Sequence, residues 1–132
     1  MNKATALSIV EKWRRELPEI WADRGRCTLF LEDAKGAVCA LGAGLVSIGV
    51  IHPLELVNHC VPFDNNDFYT ALRIVMMDSW FADTDTNLTF MFLANILHPI
   101  SGPNDDGETN QFIYDRIDHI IASFKQRNSD EL

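Results

Sequence analysis

Apolar residues recur at spacings of three and four along most of this chain, the periodicity of a helix with one buried face. Leu7, Val10, Trp13 and Leu17 carry it first and predict a helix over 3–17, with Lys12, Arg14, Arg15 and Glu16 on the wet side. Pro18 is expected to stop or bend that helix, because proline lacks an N–H and crowds the carbonyl four residues back. Trp13 and Trp21 are expected to anchor the helix and the chain after it in the core. Phe68, Leu72, Val75, Met76 and, at its end, Trp80 predict a further helix over 67–80, capped from Asp64, Asn65 or Asn66. LTFMFLANIL, in a helix predicted over 87–97, is apolar nearly all round and is expected to be central. Phe112, Ile113, Ile117, Ile120, Ile121 and Phe124 define the clearest amphipathic helix, 109–126, with Asp115, Arg116, Asp118 and His119 opposite. A short helix is expected in LELVNHC after Pro53, and residues 127–132 are expected to fray.

One stretch, CTLFLEDAKGAVCALGAGLVSIGV (27–50), departs from this regularity. CTLFLED has β-branched and aromatic residues in partial alternation, AKG suits a tight turn, and AVCAL can answer as a second short strand, giving a hairpin near 27–40. From Ala37 the same residues also read as a helix to about Ile48 ending at Gly49, and that is the reading preferred here. Gly42 and Gly44 inside it cost about 1 kcal/mol each relative to alanine. That loss is consistent only with another element approaching the backbone closely, so the glycines are read as packing devices.

The chain of 132 residues is long enough to bury an unaided core, and it shows no repeat, low-complexity tract or flexible linker, so a single domain of five or six helices is expected. Three cysteines, Cys27, Cys39 and Cys60, and an N-terminus without a signal-peptide pattern fit a reducing cytoplasm. The longest near-apolar run, 37–51, falls short of the roughly 20 residues a membrane-spanning helix needs, so no membrane association is expected. Charge changes the picture more. Residues 1–50 carry a net +1 and residues 51–132 a net −9, together −8. A phosphate backbone requires clustered Lys and Arg, so direct nucleic-acid binding is not expected; a basic protein surface is the better match.

Candidate chemistry is sparse. ALGAG (40–44) lacks the spacing of either phosphate-binding glycine pattern, although segment 36–50 stays open as a small-ligand site. Cys39 becomes a nucleophile only beside a histidine, and burial in an apolar run makes a thiol inert. His52, His59, Cys60, His98 and His119 form none of the usual zinc spacings. DTDTN (83–87) opens like a calcium loop but has Leu88 where glycine and Ala94 where glutamate is required. No catalytic residue, metal or cofactor is therefore assigned.

WADRGRCTLFLEDAKGAVCALGAG, residues 21–44, resembles the core of small bacterial and phage helical proteins of unknown function: a helix, a tryptophan with a polar turn, then a Cys-x-x-Gly-Ala signature opening the next helix. Here the signature stands as Cys39, Gly42 and Ala43, with Asp33 and Gly36 in the turn, over about a fifth of the chain. The resemblance implies a compact helical domain and no catalytic residues.

The expectation is an all-α fold, with at most one hairpin, that acts through its surface. Asp64 and Asp67, Asp83 and Asp85, Asp105, Asp106 and Glu108, with Asp115 and Asp118 on the last helix, are expected to dock a basic partner protein. Toxin immunity proteins and phage-encoded inhibitors follow that design, and the partner is expected to be a toxin or a nucleic-acid-binding complex. The competing expectations are a small enzyme with a Cys/His or metal site and a small-ligand-binding helical domain.

Overall fold

The computed structural model describes residues 1–49, 66–83 and 93–132. The segment after Pro53, residues 88–92 of LTFMFLANIL, and Asp64, Asp85, His52, His59 and Cys60 lie outside them. The fold is all-α. Its helices among the described residues are α1 (Lys3–Arg24), α2 (Ala40–Ser47), α3 (Asp67–Met77), α4 (Leu93–Asp105) and α5 (Asn110–Arg127), followed by a 3-10 turn (Ser129–Glu131). Helix α1 lies against α2, α3 and α5, and α4 against α2, α3 and α5.

Helix α1 does not end at Pro18; it continues through it to Arg24. The reason lies on its buried face, where Ala6, Leu7, Val10, Trp13, Leu17 and Trp21 form one unbroken stripe. A proline within a helix costs about 3 kcal/mol. Burying an indole removes about 150–250 Å² from water, about 4–6 kcal/mol at 25 cal/mol/Å². Keeping Trp21 in register with Trp13 therefore outweighs the lost hydrogen bond. Asn2 caps the start by accepting from the Thr5 N–H, and Gly25, with φ of 86°, takes the chain away at the end.

Prolines were poor stop signals in α4 too, which runs past Leu97 and contains both Pro99 and Pro103. Pro103 has no N–H to offer the carbonyl of Pro99 four residues earlier. Arg116 supplies the missing donor from α5, at 2.8 Å. The described part of LTFMFLANIL is amphipathic, with Leu93, Ile96 and Leu97 buried and Ala94 and Asn95 exposed.

Residues 27–39 form neither hairpin nor helix. Val38 makes isolated bridges to Arg26 on one side and Glu32 on the other, and no ladder extends from them. Helix α2 starts only at Ala40, because Cys39 is its extended N-cap, with Sγ accepting from the Gly42 N–H at 3.3 Å. The glycines serve close packing as expected. A Cβ on Gly42 would lie 2.1 Å from the Leu31 carbonyl oxygen, and one on Gly44 2.1 Å from the Phe68 ring. Phe68 is itself fully buried and edge-on to Trp13 at 4.9 Å.

Helix α3 ends at Met77, three residues before the predicted limit, and its cap is Asn66, accepting from the Tyr69 N–H at 2.8 Å. Trp80 consequently sits in the following turn and is exposed rather than on the apolar face. Thr109 caps α5. After α5 comes the 3-10 turn, where Lys3 bonds Asn128 at 2.8 Å and pairs with Glu131 and Asp78 at 3.0 Å each. The two carboxylates raise the lysine's affinity for its proton.

Replacing either helical glycine tests the close-packing account. Gly42→Ala gains about 1 kcal/mol of helix propensity but drives a methyl into backbone that cannot move aside, so a net loss of about 2–3 kcal/mol is expected by urea denaturation. Gly44→Ala is expected to lose less, because the obstructing atoms belong to a side chain.

Candidate functional site

The most organised polar region lies where the 25–39 segment meets the end of α4. The segment pairs part of its backbone internally, as in Cys27 N–H to Val38, Val38 N–H to Gly25 and Cys39 N–H to Leu31, and its remaining buried groups need partners from elsewhere. Asn104 supplies two of them. Its carboxamide donates to the Cys27 carbonyl at 3.0 Å and accepts from the Ala40 N–H at 3.1 Å, while the side chain is almost wholly buried. Trp13 Nε1 donates to the Ala40 carbonyl and Trp21 Nε1 to the Val38 carbonyl, both at 2.9 Å. Arg24 donates to the Gly36 carbonyl at 2.9 Å and to the buried Glu32 carboxylate at 2.7 Å. Arg26 stacks over Trp21 and donates to the carbonyls of Asn104 and Glu108 and to the Asn110 side chain.

These anchors present a short tip, residues 28–30, next to the acidic turn after α4. Leu29 holds φ of 69°, a region branched side chains avoid, and Asp105 fixes it there by accepting from the Leu29 N–H at 2.9 Å. The result is two apolar side chains in solvent, Leu29 at 61% and Phe30 at 38% exposure. Local pattern does not reveal them, because the partial alternation of CTLFLED fits a strand equally well. The unusual backbone is set by contacts 76 residues away in the chain.

The predicted acidic residues are treated differently from one another. Asp105 is committed to Leu29 and to the Asn104 carboxamide at 3.3 Å. Asp106 and Glu108 stand exposed on the same turn, and among the described residues no basic side chain pairs with their carboxylates. On α5, Asp118 is bridged by Arg14 at 2.8 and 3.2 Å, and Asp115 accepts from Gln111 at 2.8 Å. Asp83 meets Arg127 at 3.6 Å, and Asp67 is exposed in the first turn of α3, where a negative charge suits the helix dipole. The structure thus brings Asp105, Asp106 and Glu108 together and gives Asp115 and Asp118 to local partners. Phe112, expected on the apolar face of α5, is instead exposed; Arg116 stacks over it at 5.0 Å and over Trp80 of the turn after α3 at 4.5 Å, with His119 edge-on to Trp80 at 6.5 Å.

Among the described residues, the groups weighed for chemistry stay apart. Cys27 and Cys39 are buried free thiols, and burial pushes them up to about 11 and about 12, Cys27 with help from the nearby Asp33 charge. The Cys27 sulfur lies 3.2 Å from both the Phe30 and Ala37 carbonyl oxygens, so its S–H has an acceptor. His98 lies across Gly102. Among the described residues no three of His, Cys, Asp and Glu gather as a metal-binding group. The cleft beside Cys39, lined by Leu29, Phe30, Leu41, Ser101, Asn104 and Asp105 among others, holds about 20 Å³, room for one water. At Gly42 and Gly44 the Leu31 backbone and the Phe68 ring occupy the space a side chain would take. No helix among the described residues is long and apolar enough to cross a membrane.

Two outcomes follow from this arrangement. Asn104→Ala strands a buried carbonyl and a buried N–H, so a loss of about 2–3 kcal/mol is expected, with faster amide exchange at Leu29 and Ala40. The thiols hold their protons more tightly folded than unfolded. Stability is therefore fully present below the ordinary thiol value of 9.0 and falls as pH rises toward about 11. Urea midpoints at neutral pH and above that value measure the decline, and folded-state alkylation of both thiols is expected to be slow at neutral pH.

No family model, curated protein or solved structure matches this chain.

Proposed function

We propose that the chain is a non-catalytic interaction protein whose acidic surface docks a basic partner protein and inhibits or neutralises it, in the manner of immunity proteins and phage-encoded inhibitors. The observation that carries this reading is the pair of exposed carboxylates, Asp106 and Glu108, on a turn held rigid by Arg26 and Asn104. Much of the chain's positive charge is turned inward or onto neighbours. Lys3, Arg14, Arg24, Lys125 and Arg127 are in ion pairs, and Arg26 and Arg116 serve backbone carbonyls. Excess negative charge is left at the surface, where it steers association with a basic molecule. The protonated, buried thiols and the water-sized cleft favour this reading over a thiol enzyme or a small-ligand domain.

The test is capture of partners from a lysate, followed by stopped-flow association with each basic protein recovered. The association rate is expected to fall by about tenfold or more between low and high salt, and Asp106→Lys with Glu108→Lys to slow it further at low salt. Recovery of acidic proteins only, or a rate indifferent to salt, would sink the proposal.

A further inference from the structure

We infer that residues 28–30 and the turn at 105–108 form one docking surface, and that it receives a basic amphipathic segment of the partner. An apolar side chain of that segment covers Leu29 and Phe30 while its lysines or arginines meet Asp106 and Glu108. This inference rests on the acidic-docking reading and narrows it to one place and one kind of occupant.

Three observations converge. Leu29 and Phe30 are large apolar side chains left in solvent, at a loop tip whose anchors are buried. Asp105 ties the tip directly to the acidic turn, so apolar and charged groups share one surface. The local charge remains negative: among the described residues no basic side chain pairs with Asp106 or Glu108, and the guanidinium of Arg26 beside the turn is spent on backbone carbonyls, Asn110 and the Trp21 face. Apolar anchors ringed by charge are the usual anatomy of a protein interface, and the sign of the rim selects the partner. A second copy of this chain fits poorly, because a two-fold contact would set the same carboxylates against each other. The stripe of Trp80, Phe112, Arg116 and His119 has the opposite sign at its centre and serves as the internal control.

The experiment titrates the isotope-labelled full chain with two synthetic probes, a helical lysine–leucine peptide and an oligolysine of the same length. Expected are amide shifts centred on Leu29, Phe30, Asp106 and Glu108 with the lysine–leucine peptide, and weaker binding of oligolysine. Leu29→Asn with Phe30→Ser should weaken the lysine–leucine peptide by about tenfold. Both positions are exposed and asparagine tolerates a positive φ, so the variant should keep its wild-type melting temperature. Asp106→Asn with Glu108→Gln should flatten the salt dependence, and Trp80→Ala should change nothing. Salt-sensitive binding with shifts centred on Trp80 and Phe112, or undiminished by the 28–30 variant, overturns this inference and leaves the acidic reading standing. If neither peptide binds at low salt, both fall.

Discussion

The region where the 25–39 segment meets α1 and α4 depends on buried side-chain hydrogen bonds to a stretch of backbone that is only partly paired with itself. Residues 25–39 cross the core without helix or ladder, and Val38 makes only isolated bridges. Two indole N–H groups of α1 and the carboxamide of Asn104 on α4 satisfy the carbonyls of Cys27, Val38 and Ala40. Each group left unpaired would cost about 1–3 kcal/mol, comparable to a sizeable part of a small domain's stability. That constraint sets the length of α1, since Trp21 must reach Val38, and the start of α2, since the Ala40 N–H is held by Asn104. It also explains why glycine stands at position 42: the same segment brings the Leu31 carbonyl onto α2.

Proline shows how tertiary partners override local rules. In isolation Pro18, Pro99 and Pro103 are each reasons to end a helix. In the folded chain Pro18 is carried by the aromatic stripe on either side of it, and the carbonyl deprived by Pro103 takes its hydrogen bond from Arg116. The same guanidinium stacks on Trp80 and Phe112, so one side chain both repairs α4 and joins an exposed aromatic of α5 to one in the turn after α3.

Net charge proved a coarse guide to surface charge. Of the acidic residues, Glu32 is buried against Arg24, Asp118 is bridged to Arg14, and Asp105 serves as a backbone acceptor. An acidic side chain used in this way contributes to the fold and little to long-range attraction. The functional reading therefore narrows from a dispersed acidic face to a turn where two carboxylates remain solvated beside an exposed apolar tip.

The sequence by itself determined the helical class, the cap of α3 among Asp64, Asn65 and Asn66, the buried faces of α1 and α3 and most of that of α5, and the packing role of Gly42 and Gly44. These follow from periodicity, capping chemistry and the absence of a Cβ, which act over a few residues and are written in the residue types. Only the tertiary structure decided that α1 and α4 pass through their prolines, that 27–40 is an irregular clasp, and which acids are spent. It also decided that Leu29 and Phe30 face solvent. The helices and the tip are settled by partners more than ten positions away: Trp21 by Val38, Pro99 by Arg116, Leu29 by Asp105. Local pattern carries no record of such pairs, because the energy that selects them exists only once the helices have met.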